Sequence, residues 1–370
     1  MSERGMAMTE LQQLAPAADQ APSTPPYRRH IDDPAAWRSS DFTSPRDYTI
    51  ELTAAQIDEI DAAVRKVRDA GLRLEDIERS HFPLPRVAPV IEEIRREIAV
   101  GRGFVVVGRL PVDRFTKDEL GMVYWGLGTH LGLGQSQSVM GDRLGHVKDF
   151  SREDPNARAY RNKQELSPHT DLSDLVGLLC LRTARIGGAS QLTSALAIHN
   201  VILAERPHYL DRLYRGYIWH RRGEERPGDL PVTPYPVPVF CNVGGQVSVR
   251  YVRTYIEAGM GAVGSPIDAF DAEILDFFEK TSKRPDLMLE FTMEPGQMYF
   301  LNNYTILHAR TQFEDFEEED RRRHLLRLWL EVPGMRAVHA HVHMFEGGGI
   351  APVAGRTPSY DWKGLTNRRG

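Results

Sequence analysis

The apolar positions of this chain change period several times, and each change marks an element. Ile57, Ile60, Val64 and Val67 recur three or four residues apart, which predicts a helix over 53–70 with Thr53 as its cap and Gly71 as its stop. Val90, Ile91, Ile94 and Ile98 predict a second helix over 87–100 on the same grounds. The run 103–107 is apolar after its glycine, as a buried strand is. Thr116-Lys117-Asp118-Glu119 opens a third helix that ends near Gly128 or Gly132. Residues 133–168 are polar and dotted with glycine, and a loop of that length inside a compact domain is often a functional lid.

Apolar density rises again after Asp171. The stretch 175–181 reads as a central strand, Gly187-Gly188 as a turn and 190–194 as the returning strand. A helix over 196–205 is ended by Pro207. Between 213 and 222 polar and aromatic residues alternate, the pattern of a half-buried strand. Pro227, Pro231, Pro234, Pro236 and Pro238 make 226–239 an extended loop. Strands follow at 237–241 and 246–252 around Gly244-Gly245, then a helix at 267–280 and strands at 287–293, 297–301 and 324–332. Short strands between Gly/Pro turns, with helices among them, predict a mainly β sandwich or barrel with flanking helices. No repeat and no inner boundary is visible, so 46–370 reads as one domain with a C-terminal extension from about 334. Residues 1–45, rich in Ala, Pro, Gln and Ser and without a period, read as a mobile or loosely draped arm.

Composition narrows the function classes. The 370 residues are 41% hydrophobic and carry a modest formal charge of -5, which argues against a nucleic-acid binder that works through bulk charge. No apolar run has the length of a membrane span, and the N-terminus lacks the apolar stretch of a signal peptide. The expectation is a cytoplasmic protein with neither nucleic-acid nor membrane partners; whether it forms a homo-oligomer is left open. Cys180 and Cys241 fall in apolar runs, where two buried thiols in a reducing compartment fit better than a lone disulfide.

Candidate chemistry begins at Ser167-Pro168-His169-Thr170-Asp171 and continues at His308. On a strand, His169 and Asp171 share a face. Two histidines and one carboxylate on one side of a metal leave the other side open, which suits non-haem Fe(II) and oxygen chemistry. A structural zinc site is instead closed by four protein ligands. Alone, His-x-Asp is a weak signal, and a single downstream histidine is more often a core residue. The strand at 324–332 adds weight. Arg323, Leu325, Arg327 and Trp329 fall on one face, and His324, Leu326, Leu328 and Leu330 on the other, so both faces are apolar enough to be buried. The two arginines lie about 13 Å apart at roughly 3.3 Å per residue. Guanidinium does not shed its charge, so each buried one needs an anion, either an internal carboxylate or a ligand.

In this order, His169-Thr170-Asp171, His308 and the Arg323…Arg327 pair resemble the taurine dioxygenase-like (TauD/TfdA) enzymes, Fe(II)/2-oxoglutarate oxygenases related to clavaminate synthase. The resemblance runs from about 101 to 333 and includes Gly103-Phe104-Val105-Val106, Gly187-Gly188-Ala189-Ser190 and Gly296-Gln297-Met298. It implies a double-stranded β-helix (jelly roll) with Fe(II) on His169, Asp171 and His308. It implies that Arg323, fifteen positions after His308, meets the far carboxylate of 2-oxoglutarate. Ser190 stands where a threonine commonly helps hold that cosubstrate, and Arg327 resembles the arginine that meets an acidic group of the primary substrate. The implied cofactors are Fe(II), 2-oxoglutarate and O2. The implied reaction oxidises an unactivated C–H bond of a small acidic metabolite, amino-acid-derived, by hydroxylation, desaturation or cyclisation.

Two rival classes use the same residues differently. A zinc hydrolase takes the three ligands plus a water and has no need of Arg323. A non-catalytic barrel binds a small acid and decarboxylates no ketoacid. Three neighbouring features have plainer readings. His339, His341 and His343 would share one face of a strand and could bind zinc or nickel, with a surface strand as the simpler account. Arg310 reads as a structural ion-pair partner, and the acidic run 314–320 as a solvated loop.

Overall fold

The computed structural model describes residues 24–150, 162–345 and 349–355. Two β-sheets face each other across an apolar core and carry helices on their outer sides. The larger sheet runs β1 (Thr49–Ile50), β2 (Phe104–Val107), β12 (Met298–Asn302), β6 (Leu175–Arg182), β15 (His324–Glu331), β3 (Leu133–Gly134), with β4 (Leu144–Val147) also paired to β15. The smaller sheet runs β11 (Met288–Phe291), β8 (Ser190–Ser194), β13 (Ile306–Arg310), β5 (Leu166–His169). Two ribbons, β9 (Phe240–Val243) with β10 (Gln246–Val249) and β7 (Ile186–Gly187) with β14 (Phe313–Glu314), complete the strands. The helices are α1 (Ala54–Asp69), α2 (Ala88–Ala99), α3 (Lys117–Thr129), α4 (Ala195–Glu205), α5 (Tyr209–Arg215), α6 (Arg253–Ala262) and α7 (Ala269–Ser282). The mainly β expectation therefore holds for the two-sheet centre only, because helices carry more of the described chain than strands do.

Side-chain alternation on β15 explains the layering. Leu325 and Trp329 enter the core between the sheets with Phe104, Val176, Leu192 and Ile306. Leu326, Leu328 and Leu330 point the other way, into a second core beneath α1, α2 and α3. A third core joins α4 to α7 with β9 and β10. The helix starts follow local chemistry: Thr53 and Gln56 cap α1 reciprocally, as Thr116 and Glu119 cap α3.

Several expectations change. The segment 213–222 is not a strand. α5 ends at Arg215, and Gly216, at φ +80, passes so close to the Val237 carbonyl that any Cβ would collide with it. Tyr217, Ile218 and Trp219 are then 0% exposed, so the aromatics are buried on every side rather than on alternate sides. α6 and β13 appear where no element was expected. Residues 133–168 are not all loop, because β3 and β4 pair with β15; 151–161 lie outside the described residues. Of the expected arm, 24–45 is docked: the Trp37 indole N–H donates to the Arg102 carbonyl at 2.8 Å, and the Ile31 amide to Asn200 Oδ1 at 2.8 Å. Residues 1–23 lie outside the described residues. At the other end, the amides of Ile350 and Val353 donate to the carbonyls of Ser136 and Val139, so 349–353 lies along the 136–139 loop. Cys180 and Cys241 are buried free thiols. Among the described residues no helix is long and apolar enough to cross a membrane.

Candidate metal centre

β5 ends at His169, which pairs directly with His308 on β13, and their rings lie 4.3 Å apart. Asp171 stands beyond the strand, so strand alternation is not what aims it. Thr170 leaves the sheet by exchanging hydrogen bonds with the Tyr251 backbone. The Asp171 amide donates to Asn303 Oδ1 at 3.1 Å, and the buried Arg250 guanidinium donates to the carbonyls of Asp171 and Ser173. The result brings one ligand atom each from His169, Asp171 and His308 within 4.8 Å of one another, the only such group among the described residues. His169 Nε2 lies 3.9 Å from Asp171 Oδ1, and His308 Nε2 lies 3.6 Å from Asp171 Oδ2.

The electrostatics favour a cation there. His169 Nδ1 donates to the Ser167 carbonyl at 2.9 Å, which leaves Nε2 with its lone pair. Burial, then neighbouring His308, push the His169 pKa down to about 3, so the ring is neutral at pH 7. Burial by itself would raise the Asp171 carboxyl; Arg327, then His308 and His169, outweigh it and hold the group far below the usual range. Trp329 Nε1 donates to Asp171 Oδ2 at 2.8 Å. Arg327 Nη1 sits 3.4 Å from both carboxylate oxygens, and its Nε donates to Gln137 Oε1 at 2.8 Å. Gln137 in turn donates to the Arg327 carbonyl. Sequence reasoning placed Trp329 beside the arginines without giving it a role. It missed Gln137, Asn303 and Arg250, whose partners are remote in the chain.

Arg323 immediately precedes β15, at a register shift between His324 and Leu325. Its guanidinium lies 5.1 Å from the Phe313 ring, and its Nη1 is buried without a hydrogen-bond partner. Burial lowers its pKa. Its backbone amide donates to Asp315 Oδ1 at 2.7 Å, so one member of the acidic run is turned inward, and burial raises that carboxyl. Ser190 sits opposite Arg310 on the paired strands β8 and β13, near the buried Tyr299 phenol. Arg310 is not an ion-pair partner: among the described residues no carboxylate forms a salt bridge with it. Its Nη2 instead donates to the carbonyls of Asn162 and Gln164, and burial, then Arg323, push its pKa down to about 9. The histidines near the C-terminus form a short 3-10 turn rather than a strand. His341 stacks on Tyr235 at 4.1 Å and His339 packs edge-on against His341, so no metal cluster forms there among the described residues.

The model of the taurine catabolism dioxygenase TauD, TfdA family matches residues 66–329. The chain belongs to this family. This TauD/TfdA member is an Fe(II)/2-oxoglutarate-dependent dioxygenase, with Fe(II), 2-oxoglutarate and O2 as its cofactors. It is similar to FR-33289 synthase of Streptomyces rubellomurinus (strain ATCC 31215), 30% identical over 308 residues that cover 82% of this chain and 90% of that protein. It is also similar to the taurine hydroxylase-like protein SAT17 of Stachybotrys chartarum (strain CBS 109288 / IBT 7711), 29% identical over 326 residues that cover 82% and 83%. The structure of asparagine oxygenase in complex with Fe(II), 2S,3S-3-hydroxyasparagine and succinate superposes with a TM-score of 0.60 at 17% identity, over 77% of this chain and 93% of that one. The shared architecture is the jelly roll.

The residues present fit the family's cofactors. Two imidazoles and one carboxylate form the donor set of a non-haem Fe(II) site with an open side. The orphaned Arg323 nitrogen is a buried cationic donor suited to a carboxylate. A zinc hydrolase or a non-catalytic barrel is set aside by family membership.

Proposed function

We propose that this dioxygenase oxidises an unactivated C–H bond of a small, anionic, amino-acid-derived metabolite, with hydroxylation as the first outcome. In this reading His169, Asp171 and His308 hold Fe(II), Arg323 and Ser190 hold the tail of 2-oxoglutarate, and Arg327 receives the substrate's anion. The observation that carries it is the three-ligand cluster together with the unpartnered Arg323 nitrogen, with the buried Tyr299 facing both Asp171 and Arg323. When bound, Fe(II) with 2-oxoglutarate and O2 supplies the C–H oxidation, with succinate and carbon dioxide as co-products.

The chain's own residues position and protect. His169 offers a fixed Nε2 because Ser167 occupies its other nitrogen. Trp329 fixes one carboxylate oxygen of Asp171, and Gln137 fixes the Arg327 guanidinium. Leu192, paired with His308, and Tyr299, which faces Asp171, put buried surface beside the centre and help exclude stray water. Arg327 stands beside Asp171, so an anion bound to it lies next to the metal ligands. Asparagine and taurine, which appear in the names of similar proteins, are small molecules with an acidic group, and this supports an anionic substrate.

The test is a screen of amino acids and N-substituted amino acids, scored by substrate-stimulated succinate release. A true substrate loses affinity in Arg327→Gln, seen as a raised KM. The reading fails if anaerobic titration with Fe(II) and 2-oxoglutarate gives no visible charge-transfer band.

A further inference from the structure

We infer that Arg310 is a second cationic contact for the distal carboxylate of 2-oxoglutarate, beside Arg323. This rests on the reading above, in which Arg323 receives that carboxylate. Arg310 lies two residues beyond His308 on β13 and therefore points to the same side of the sheet, opposite Ser190 on β8. Arg310 and Arg323 are each 5% exposed. Their guanidinium carbons lie 4.7 and 5.1 Å from the centre of one ring, that of Phe313, so the two charges are within about 10 Å of each other.

Arg221 and Arg250 also carry a buried guanidinium nitrogen without a partner; Arg310 and Arg323 differ from them in meeting over the one Phe313 ring. Arg310 Nη2 is occupied by the carbonyls of Asn162 and Gln164, while its Nε is buried without a partner. Arg323 Nη1 is in the same condition. Asp315 and Asp149 face Arg310, and Asp315 faces Arg323, yet neither carboxylate forms a salt bridge with them. Asp315 Oδ1 is instead occupied by the Arg323 amide. Buried charged donors left unpaired are costly, and a carboxylate has two oxygens to serve two donors. A ketoacid held at the metal by one end presents such a carboxylate at the other. Arg310 also grips 162–164, just ahead of the strand that delivers His169, so one side chain would tie the cosubstrate's tail to the ligand strand.

The test compares two ketoacids of equal length, 2-oxoglutarate and 2-oxopentanoate, which lacks the distal carboxylate. Each is titrated anaerobically into the Fe(II)-loaded full chain, followed by the charge-transfer band. Arg310→Met is expected to reduce the preference for 2-oxoglutarate at least tenfold, with Arg310→Lys intermediate and Arg323→Met losing more. Fe(II) affinity, measured separately, is expected to stay within threefold of the parent. A role confined to gripping 162–164 leaves the preference unmoved, since both ketoacids meet the same loop. The inference is overturned if Arg310→Met keeps the parent preference within twofold while Arg323→Met loses it. Should Arg310→Met fail to fold by circular dichroism, Arg310→Gln decides by the same ratio, which does not depend on the folded fraction. If the parent protein itself gives no band, the iron reading falls and this inference falls with it.

Discussion

A buried guanidinium with an unmade hydrogen bond is costly, and a ligand that makes the bond relieves that cost. Arg323 is such a group, and a hydrogen bond to a charge contributes about 1.5–3 kcal/mol. Arg323→Ala is therefore expected to weaken 2-oxoglutarate binding roughly 10–150-fold in an anaerobic titration. In the proposed site Trp329 acts on the metal at one remove, through its hydrogen bond to Asp171 Oδ2. Trp329→Phe keeps the ring and removes the donor, and losing such an outer partner costs roughly 10–100-fold in metal affinity. A competition titration against a coloured chelator measures it, and an unchanged Fe(II) affinity would show that the indole only fills space. That His169, Asp171 and His308 come together was legible in the sequence, because titratable groups beside apolar runs need explaining. Gln137 was not: it meets Arg327 across 190 positions, and nothing local to it signals the partner.

Among the elements, those whose ends carry their own chemistry were the readable ones. α1 and α3 begin at threonines that exchange bonds with Gln56 and Glu119. Thr53→Ala is expected to cost about 1 kcal/mol, read as a lowered urea midpoint with unchanged slope. β15 was legible because its two faces are both apolar, and each enters a separate core. Leu328 is buried among the helices, so Leu328→Ala is expected to cost about 2–5 kcal/mol in the same measurement. The stretch around Tyr217 misled because alternation has meaning only where one side of a segment meets water, and here neither does. β13 was invisible as a strand for a related reason: five residues, all buried, give a period too little length to show.

At the scale of the molecule, the three cores bury histidines as well as leucines. Burial pushes His199 down to about 4, and burial together with His146 and Arg182 pushes His324 down to about 3. Unfolded, both titrate near 6.5. The unfolded chain therefore binds more protons over the interval, so stability is complete above about pH 6.5 and falls as pH drops toward 4, by roughly 1 kcal/mol per pH unit for each group. The metal-free protein should lose Tm between pH 7 and pH 4.5, and His324→Gln should make that slope shallower; an identical slope would refute the assignment. The contact of 349–353 with the 136–139 loop bears on a different question, how the protein is made. A nascent chain that has reached residue 332 already holds His169, Asp171, His308, Arg323 and Arg327. The backing for the loop that carries Gln137 follows them in the chain, so the finished wall beside Arg327 depends on residues made after that arginine.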